Sequence, residues 1–269
     1  MPELPEVETT RLGILPHIKN CSLCRMEVRT PRLRWPIELP AELKGQVVQD
    51  VKRRAKYLLI HLETGALILH LGMSGSLKIV KRGSNAGKHD HVDLEFDNGN
   101  VLRFNDPRKF GSLHFQKHPV ESHWLLKNLG PEPLSPHFNG TYLFERRRNR
   151  KIAIKNFIMD AKIVVGVGNI YASEALFRAD IRPNRAAGLV SQKKCADLVK
   201  AIQQTLQEAI QAGGTTLRDF TNSEGKPGYF GQQLNVYGRD GEPCYHCGTA
   251  IKMVKTGQRS SFYCPSCQK

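Results

Sequence analysis

His91-Val92-Asp93-Leu94-Glu95-Phe96-Asp97-Asn98-Gly99-Asn100-Val101-Leu102-Arg103-Phe104 reads as a β-hairpin. Val92, Leu94 and Phe96 alternate with His91, Asp93 and Glu95, which is the period of a strand with one face toward a core. Asp97-Asn98-Gly99 supplies the turn, and Val101 through Phe104 returns the chain. Upstream, Tyr57-Leu58-Leu59-Ile60 and Leu67-Ile68-Leu69 are short apolar runs separated by the turn Glu63-Thr64-Gly65. Strand signals of this kind run from Leu23 to Phe115 and predict a β-sandwich. Its loops are basic: Lys52-Arg53-Arg54-Ala55-Lys56, Lys88-His89 and Arg108-Lys109.

The flanks are helical, so the fold class is α+β. Pro5 to Asn20 places Val7, Ile14 and Ile18 along one face, with Pro5 suited to the first turn. Leu129-Gly-Pro-Glu-Pro-Leu-Ser-Pro136 is dense in proline and marks a boundary. Beyond it, Tyr142 to Lys151 is strongly basic. Gln192 to Ala212 is an amphipathic helix between a Ser191 cap and Gly213. Val165-Gly-Val-Gly-Asn-Ile170 has the glycines of a tight turn, with Asn169 expected as a helix cap whose amides could bind phosphate. Residues 213–231 are rich in glycine, threonine and serine and read as a functional loop. The expected division is 1–130 for the β-sandwich, 131–231 for a helical domain ending in that loop, and 232–269 for a small C-terminal module.

A net charge of +15 over 269 residues points to a polyanionic partner. Charge alone also suits a ribosome-associated or merely soluble basic protein. No apolar run approaches the ~18 residues of a membrane span, and the first residues lack the pattern of a secretory signal. The expectation is a cytoplasmic protein whose seven cysteines are thiols or metal ligands. Cys244-x-x-Cys247 and Cys264-x-x-Cys267 have the spacing of a four-thiolate zinc ribbon, with residues 248–263 between the pairs. One zinc ion with every ligand position taken by protein is structural. Cys21, Cys24 and Cys195 are assigned structural roles.

The chain opens Met1-Pro2-Glu3. If Met1 is removed, Pro2 presents a secondary amine beside a carboxylate. An α-amino group titrates near ~7.7–8.0, so part of it is neutral and nucleophilic at neutral pH. Its adduct with an aldehyde carbon is an iminium, which is an electron sink that needs no added proton.

Met1-Pro-Glu-Leu-Pro-Glu-Val-Glu8, Arg53-Arg-Ala-Lys-Tyr-Leu58, His70-Leu-Gly-Met-Ser-Gly75, Asp106-Pro-Arg-Lys-Phe-Gly111, Gly166-Val-Gly-Asn-Ile-Tyr171 and the cysteine pairs occur in that order. End to end, this set resembles the bacterial formamidopyrimidine-DNA glycosylases, also called 8-oxoguanine DNA glycosylases. The resemblance implies an N-terminal β-sandwich flanked by helices, a helix–two-turns–helix domain and a C-terminal zinc ribbon. It implies a monomer that acts on double-stranded DNA containing oxidised bases or abasic sites, excising oxidised purines and then cutting the strand. By motif, Pro2 is similar to the family's nucleophile, Glu3 to its acid and Lys56 to its catalytic lysine. Arg259 resembles the ribbon arginine at the lesion phosphates. Lys155 and Asn169 match further phosphate contacts, and His89 and Arg150 match DNA-contact positions. Met73, Arg108 and Phe110 resemble the residues that fill the gap left by a flipped base. The motif does not exclude a core position for Phe110. Arg218 falls in the segment that covers the damaged base in the family. Three rivals are a pyrimidine-directed enzyme of the endonuclease VIII type, a non-catalytic DNA-binding protein of the same fold, and an N-terminal-proline tautomerase. Leu4 with the Met73/Arg108/Phe110 set argues against the first. The charge and the ribbon argue against the last.

Overall fold

A computed structural model describes residues 2–215 and 234–269. The described chain forms two compact units. One runs from the N-terminus to Lys127 and takes in residues 210–215; the other comprises Asn128–Ala209 and the tail from residue 234.

The first unit is a sandwich of two four-stranded antiparallel sheets. One sheet has the order β1 (Leu23–Val28), β6 (Asp90–Phe96), β7 (Asn100–Asn105), β5 (Ser76–Lys81). The other has the order β2 (Asp50–Arg54), β3 (Tyr57–His61), β4 (Gly65–His70), β8 (Ser112–Lys117). The β6–β7 hairpin pairs Leu94 with Leu102 and Val92 with Phe104, so the apolar residues of both strands share the inner face. They pack with Leu23, Val51, Leu58, Ile60, Leu67, Leu69 and Leu113 in one continuous core. Helix α1 (Leu4–Ile18) adds Val7, Ile14 and Ile18 to that core, so the N-terminus is fixed by its burial. Each such side chain contributes roughly 1.5–3 kcal/mol.

The polar face of β6 is largely covered as well. Asp93 accepts hydrogen bonds from Arg29 and Arg103, and His91 bridges Thr30 Oγ1 and the Asp106 carbonyl. Burial alone would push the Asp93 carboxyl up, but the two guanidiniums outweigh it and hold its pKa below the usual value.

The second unit contains α2 (Gly140–Arg146), α3 (Ile154–Ile158), α4 (Asn169–Arg178), α5 (Gln192–Gln211, whose last two residues fall in the first unit) and the hairpin β9 (Lys252–Thr256)–β10 (Arg259–Tyr263). Lys194 N donates to Ser191 Oγ at the start of α5, and Gly213 lies past its end at φ 75°. Gln268 joins the tail to α4's exit by donating to the Ile181 carbonyl and accepting from Cys264 N.

Candidate active site and nucleic-acid interface

Pro2 directly precedes Glu3, the N-cap of α1, and both residues are buried. Glu6, one turn on, accepts the Glu3 amide through Oε2 at 2.8 Å. Its other oxygen, Oε1, accepts the amide of Thr215 at 2.8 Å. One buried carboxylate thus holds the backbone of the expected acid and the first turn of the 213–231 segment. Glu8 tethers the same helix to β2, accepting from Arg11 and from Arg53 Nε at 3.0 Å. Burial raises the Glu8 pKa, but Arg11 and Arg53 outweigh it and the net shift is downward. Arg53 Nη1 also donates to the Ala55 carbonyl, fixing the two-residue β2–β3 turn in which Ala55 has φ 56° and Lys56 follows, half-buried.

Beside this turn stands His70, its ring 5.0 Å from that of Tyr57. Burial, reinforced by the charges of Lys56 and Arg34, lowers the His70 pKa to about 4. The imidazole is therefore neutral at pH 7, and its Nδ1 accepts the Gly72 amide at 3.0 Å.

Gly72 opens the loop that carries Met73. Met73 is 36% exposed and Phe110 44% exposed, so neither is a core residue, and the core alternative for Phe110 falls. Arg108 is exposed and lies over the Phe110 ring at 5.2 Å. His89 is half-buried nearby in the chain trace, its carbonyl accepting the Asp106 amide.

In the second unit α4 begins at Asn169, with Gly168 in the cap position. This corrects the expectation that Asn169 itself caps the helix. Gly168, which has no Cβ, adopts an extended cap, and Asn169 becomes the first helical residue, its Nδ2 directed to Tyr237 Oη at 3.4 Å. Glu174, buried in the same helix, gathers the amides of Asn235, Val236 and Tyr237 at 2.8–3.0 Å. Lys155 lies in the same unit. It is fully buried, and its ammonium donates to the Ser260 carbonyl at 2.9 Å and to Ser261 Oγ at 3.0 Å. These two contacts tie it to the hairpin that presents Arg259. Arg259 is exposed at the tip of that hairpin, and Arg150 is exposed after α2. Arg218 lies outside the described residues.

The sulfurs of Cys244, Cys247, Cys264 and Cys267 all lie within 4.8 Å of one another. Contacts of 3.4–4.0 Å between them match the edge of about 3.8 Å expected for a tetrahedron of Zn–S bonds near ~2.3 Å. The donor set fits one zinc ion. With four thiolates and no open position its role is to hold the ribbon. Among the described residues no helix is long and apolar enough to cross a membrane.

The family model described as the formamidopyrimidine-DNA glycosylase N-terminal domain matches residues 1–113. The H2TH domain model of the same glycosylase matches 129–221, and the zinc finger found in FPG and IleRS matches 241–269. Curated formamidopyrimidine-DNA glycosylases of Vibrio vulnificus (strain CMCP6) and Alcanivorax borkumensis are 56% and 57% identical, each over 100% of both chains. The chain belongs to the formamidopyrimidine-DNA glycosylase family. Its fold is that of solved members. A Lactococcus lactis FPG mutant in complex with DNA containing Fapy-dG aligns over 100% of both chains, with a TM-score of 0.93 at 33% identity. The Thermus thermophilus MutM (FPG) protein aligns at a TM-score of 0.88 and 36% identity, covering 99% of this chain and 98% of that one.

Within this glycosylase fold, several residues that shape the site were not singled out from the sequence. Glu6 carried a signal, since an acid three residues after an acidic cap is a capping arrangement. His70 and Ser74 lay inside a quoted motif without a role. Glu174 gave no signal, because its partners are more than 60 residues away in sequence.

Proposed function

We propose that Pro2, freed of Met1, is the nucleophile of a base-excision reaction, with Glu3 as its acid. The chain is a DNA-repair glycosylase with lyase activity at abasic sites, acting on oxidised purines in duplex DNA, in keeping with its relatives. Pro2 nitrogen attacks C1′ of the damaged nucleotide, the bond from C1′ to the base breaks, and the base leaves with the bonding pair and takes up the proton that the Pro2 amine gives up. Glu3 gives a proton to the sugar ring oxygen, the ring opens, and an iminium joins Pro2 to C1′. The iminium acidifies C2′; loss of that proton expels the 3′ phosphate, and a second elimination expels the 5′ phosphate. Water then releases the sugar fragment and regenerates the amine. Neutral His70, its Nδ1 taken by the Gly72 amide, is left with Nε2–H as a donor, and Lys56 in the β2–β3 turn supplies a cation to the same region of the first unit. Met73, Arg108 and Phe110 occupy the gap left by the extruded nucleotide, while Asn169, Arg150, His89 and Arg259 hold phosphates. Lys155 supports Arg259 through the hairpin. We take the protein to work as a monomer in the cytoplasm, on nucleoid DNA.

The observation that carries this reading is the burial of Pro2 and Glu3 at the start of α1, with the Glu3 amide locked by Glu6. A nucleophile and an acid on a pre-positioned turn need little reorganisation in the transition state. Pro2→Gly should abolish excision of 8-oxoguanine from duplex. Glu3→Gln should slow it by roughly 10²–10⁴, the range of a lost general acid. Wild-type excision rates in Pro2→Gly would overturn the assignment.

A further inference from the structure

Two loops that carry three of the expected DNA-contacting side chains are joined by a single buried carboxylate. Asp106 is fully buried at the end of β7. Its Oδ1 accepts the Ser74 hydroxyl at 2.8 Å, and its Oδ2 accepts the Gly111 amide at 2.7 Å. The Arg108 amide points at the junction, 3.2 Å from Ser74 Oγ and 3.3 Å from Asp106 Oδ1. The backbone of Asp106 is itself clamped, its amide to the His89 carbonyl at 2.9 Å and its carbonyl to His91 Nε2 at 2.8 Å. Ser74 follows Met73 in sequence, and Gly111 follows Phe110.

The backbones interlock as well. A side chain at Gly72 would begin 2.5 Å from Gly111 N and from the Phe110 carbonyl carbon, and Gly72 has φ +68°. A side chain at Gly111 would begin 2.5 Å from the Phe104 ring and 2.9 Å from the His70 carbonyl oxygen. The loop before Met73 and the loop ending in Phe110 are thus in van der Waals contact along their main chains, with a charge-assisted hydrogen-bond hub at their centre. Loops on a surface normally move independently; these two share their fixing points.

We propose that Met73, Arg108 and Phe110 enter a duplex as one unit, and that Ser74 and Asp106 are the positioning residues that make them one. This rests on the reading that these three side chains fill the gap left by the flipped nucleotide. Concerted insertion has a physical advantage. Unstacking a base pair costs a few kcal/mol, and a partial wedge would bear that cost without filling the gap.

The test is a mutant cycle on excision of 8-oxoguanine opposite cytosine in duplex, with kcat and KM measured separately. Each rate is normalised to strand cleavage at an abasic site in single-stranded DNA, which reports a folded active site and has no opposite base to replace. Ser74→Ala removes a hydrogen bond to a buried carboxylate, and Met73→Ala removes one of the inserted side chains. The unit predicts that each slows normalised duplex excision by about tenfold or more, the equivalent of a lost hydrogen bond to a charged group. It further predicts that the double variant is no slower than the slower single one, and that Ser74→Thr, which keeps the hydroxyl, restores the rate. Multiplicative losses in the double variant would overturn the coupling. So would a Ser74→Ala enzyme of full rate beside a slow Met73→Ala enzyme. A Met73→Ala enzyme of full rate would instead overturn the gap-filling reading, and the coupling with it.

Discussion

Lys155 was expected on a phosphate and lies on the ribbon. A buried ammonium persists only with its donors satisfied, and here Ser260 and Ser261 satisfy two of them. Lys155→Met would leave those acceptors unpaired, at about 1–3 kcal/mol. Zinc should therefore leave the variant faster than the wild type when a chelator is added; unchanged zinc release would contradict a supporting role. Histidine chemistry gives a second prediction at this scale. His61, His114 and His123 share with His70 a pKa lowered by burial. Their unfolded forms bind protons first, so stability is complete above the unfolded value near ~6.5 and declines as pH falls. For His70 the decline ends near its folded pKa of about 4. The melting temperature should drop between pH 7 and pH 4.5, before most carboxylates titrate. A flat profile there would show that these imidazoles are solvated. Neither burial was legible in the sequence, because a lone lysine or histidine is written the same way inside and outside.

At the scale of the element, the β6–β7 hairpin was readable because alternation and turn agree over adjacent residues. What covers its polar face was not. Arg29 reaches Asp93 from 64 positions away, and no local pattern announces such a partner. The insertion loops show the same limit. Gly72-Met73-Ser74 looks like any exposed turn until Asp106, 32 residues on from Ser74, closes against it. Gly72→Ala should be far costlier than a usual surface change, since both its φ and its neighbours forbid a side chain. We expect at least about 1–3 kcal/mol of lost stability together with slower excision from duplex. A fully stable variant in a denaturant titration would show that the two loops can separate.

For the whole molecule, the charge of +15 and the four cysteines were the most legible features, because composition and spacing need no fold to be read. The architecture followed from motifs, and the chemistry proposed for the N-terminus rests on them. The link between the two did not follow from motifs. Glu6, which holds the Glu3 amide, accepts that of Thr215 from 209 positions away, and only the folded chain brings them together. Affinity for undamaged duplex should fall steeply with salt, as phosphate contacts release counterions; a salt-independent affinity would remove the case for a phosphate-binding surface. Stripping zinc should unfold the ribbon and abolish tight duplex binding, with the sandwich core of the first unit still folded by near-UV circular dichroism. Tight binding by metal-free protein would contradict this.

The most direct measurement is a borohydride trap. The protein is mixed with duplex containing 8-oxoguanine opposite cytosine, reduced, digested and mapped by mass spectrometry. The account predicts a covalent sugar adduct on the N-terminal peptide at Pro2, with Met1 absent. An adduct on Lys56 or elsewhere, or none from protein whose Pro2 terminus is free, would contradict it.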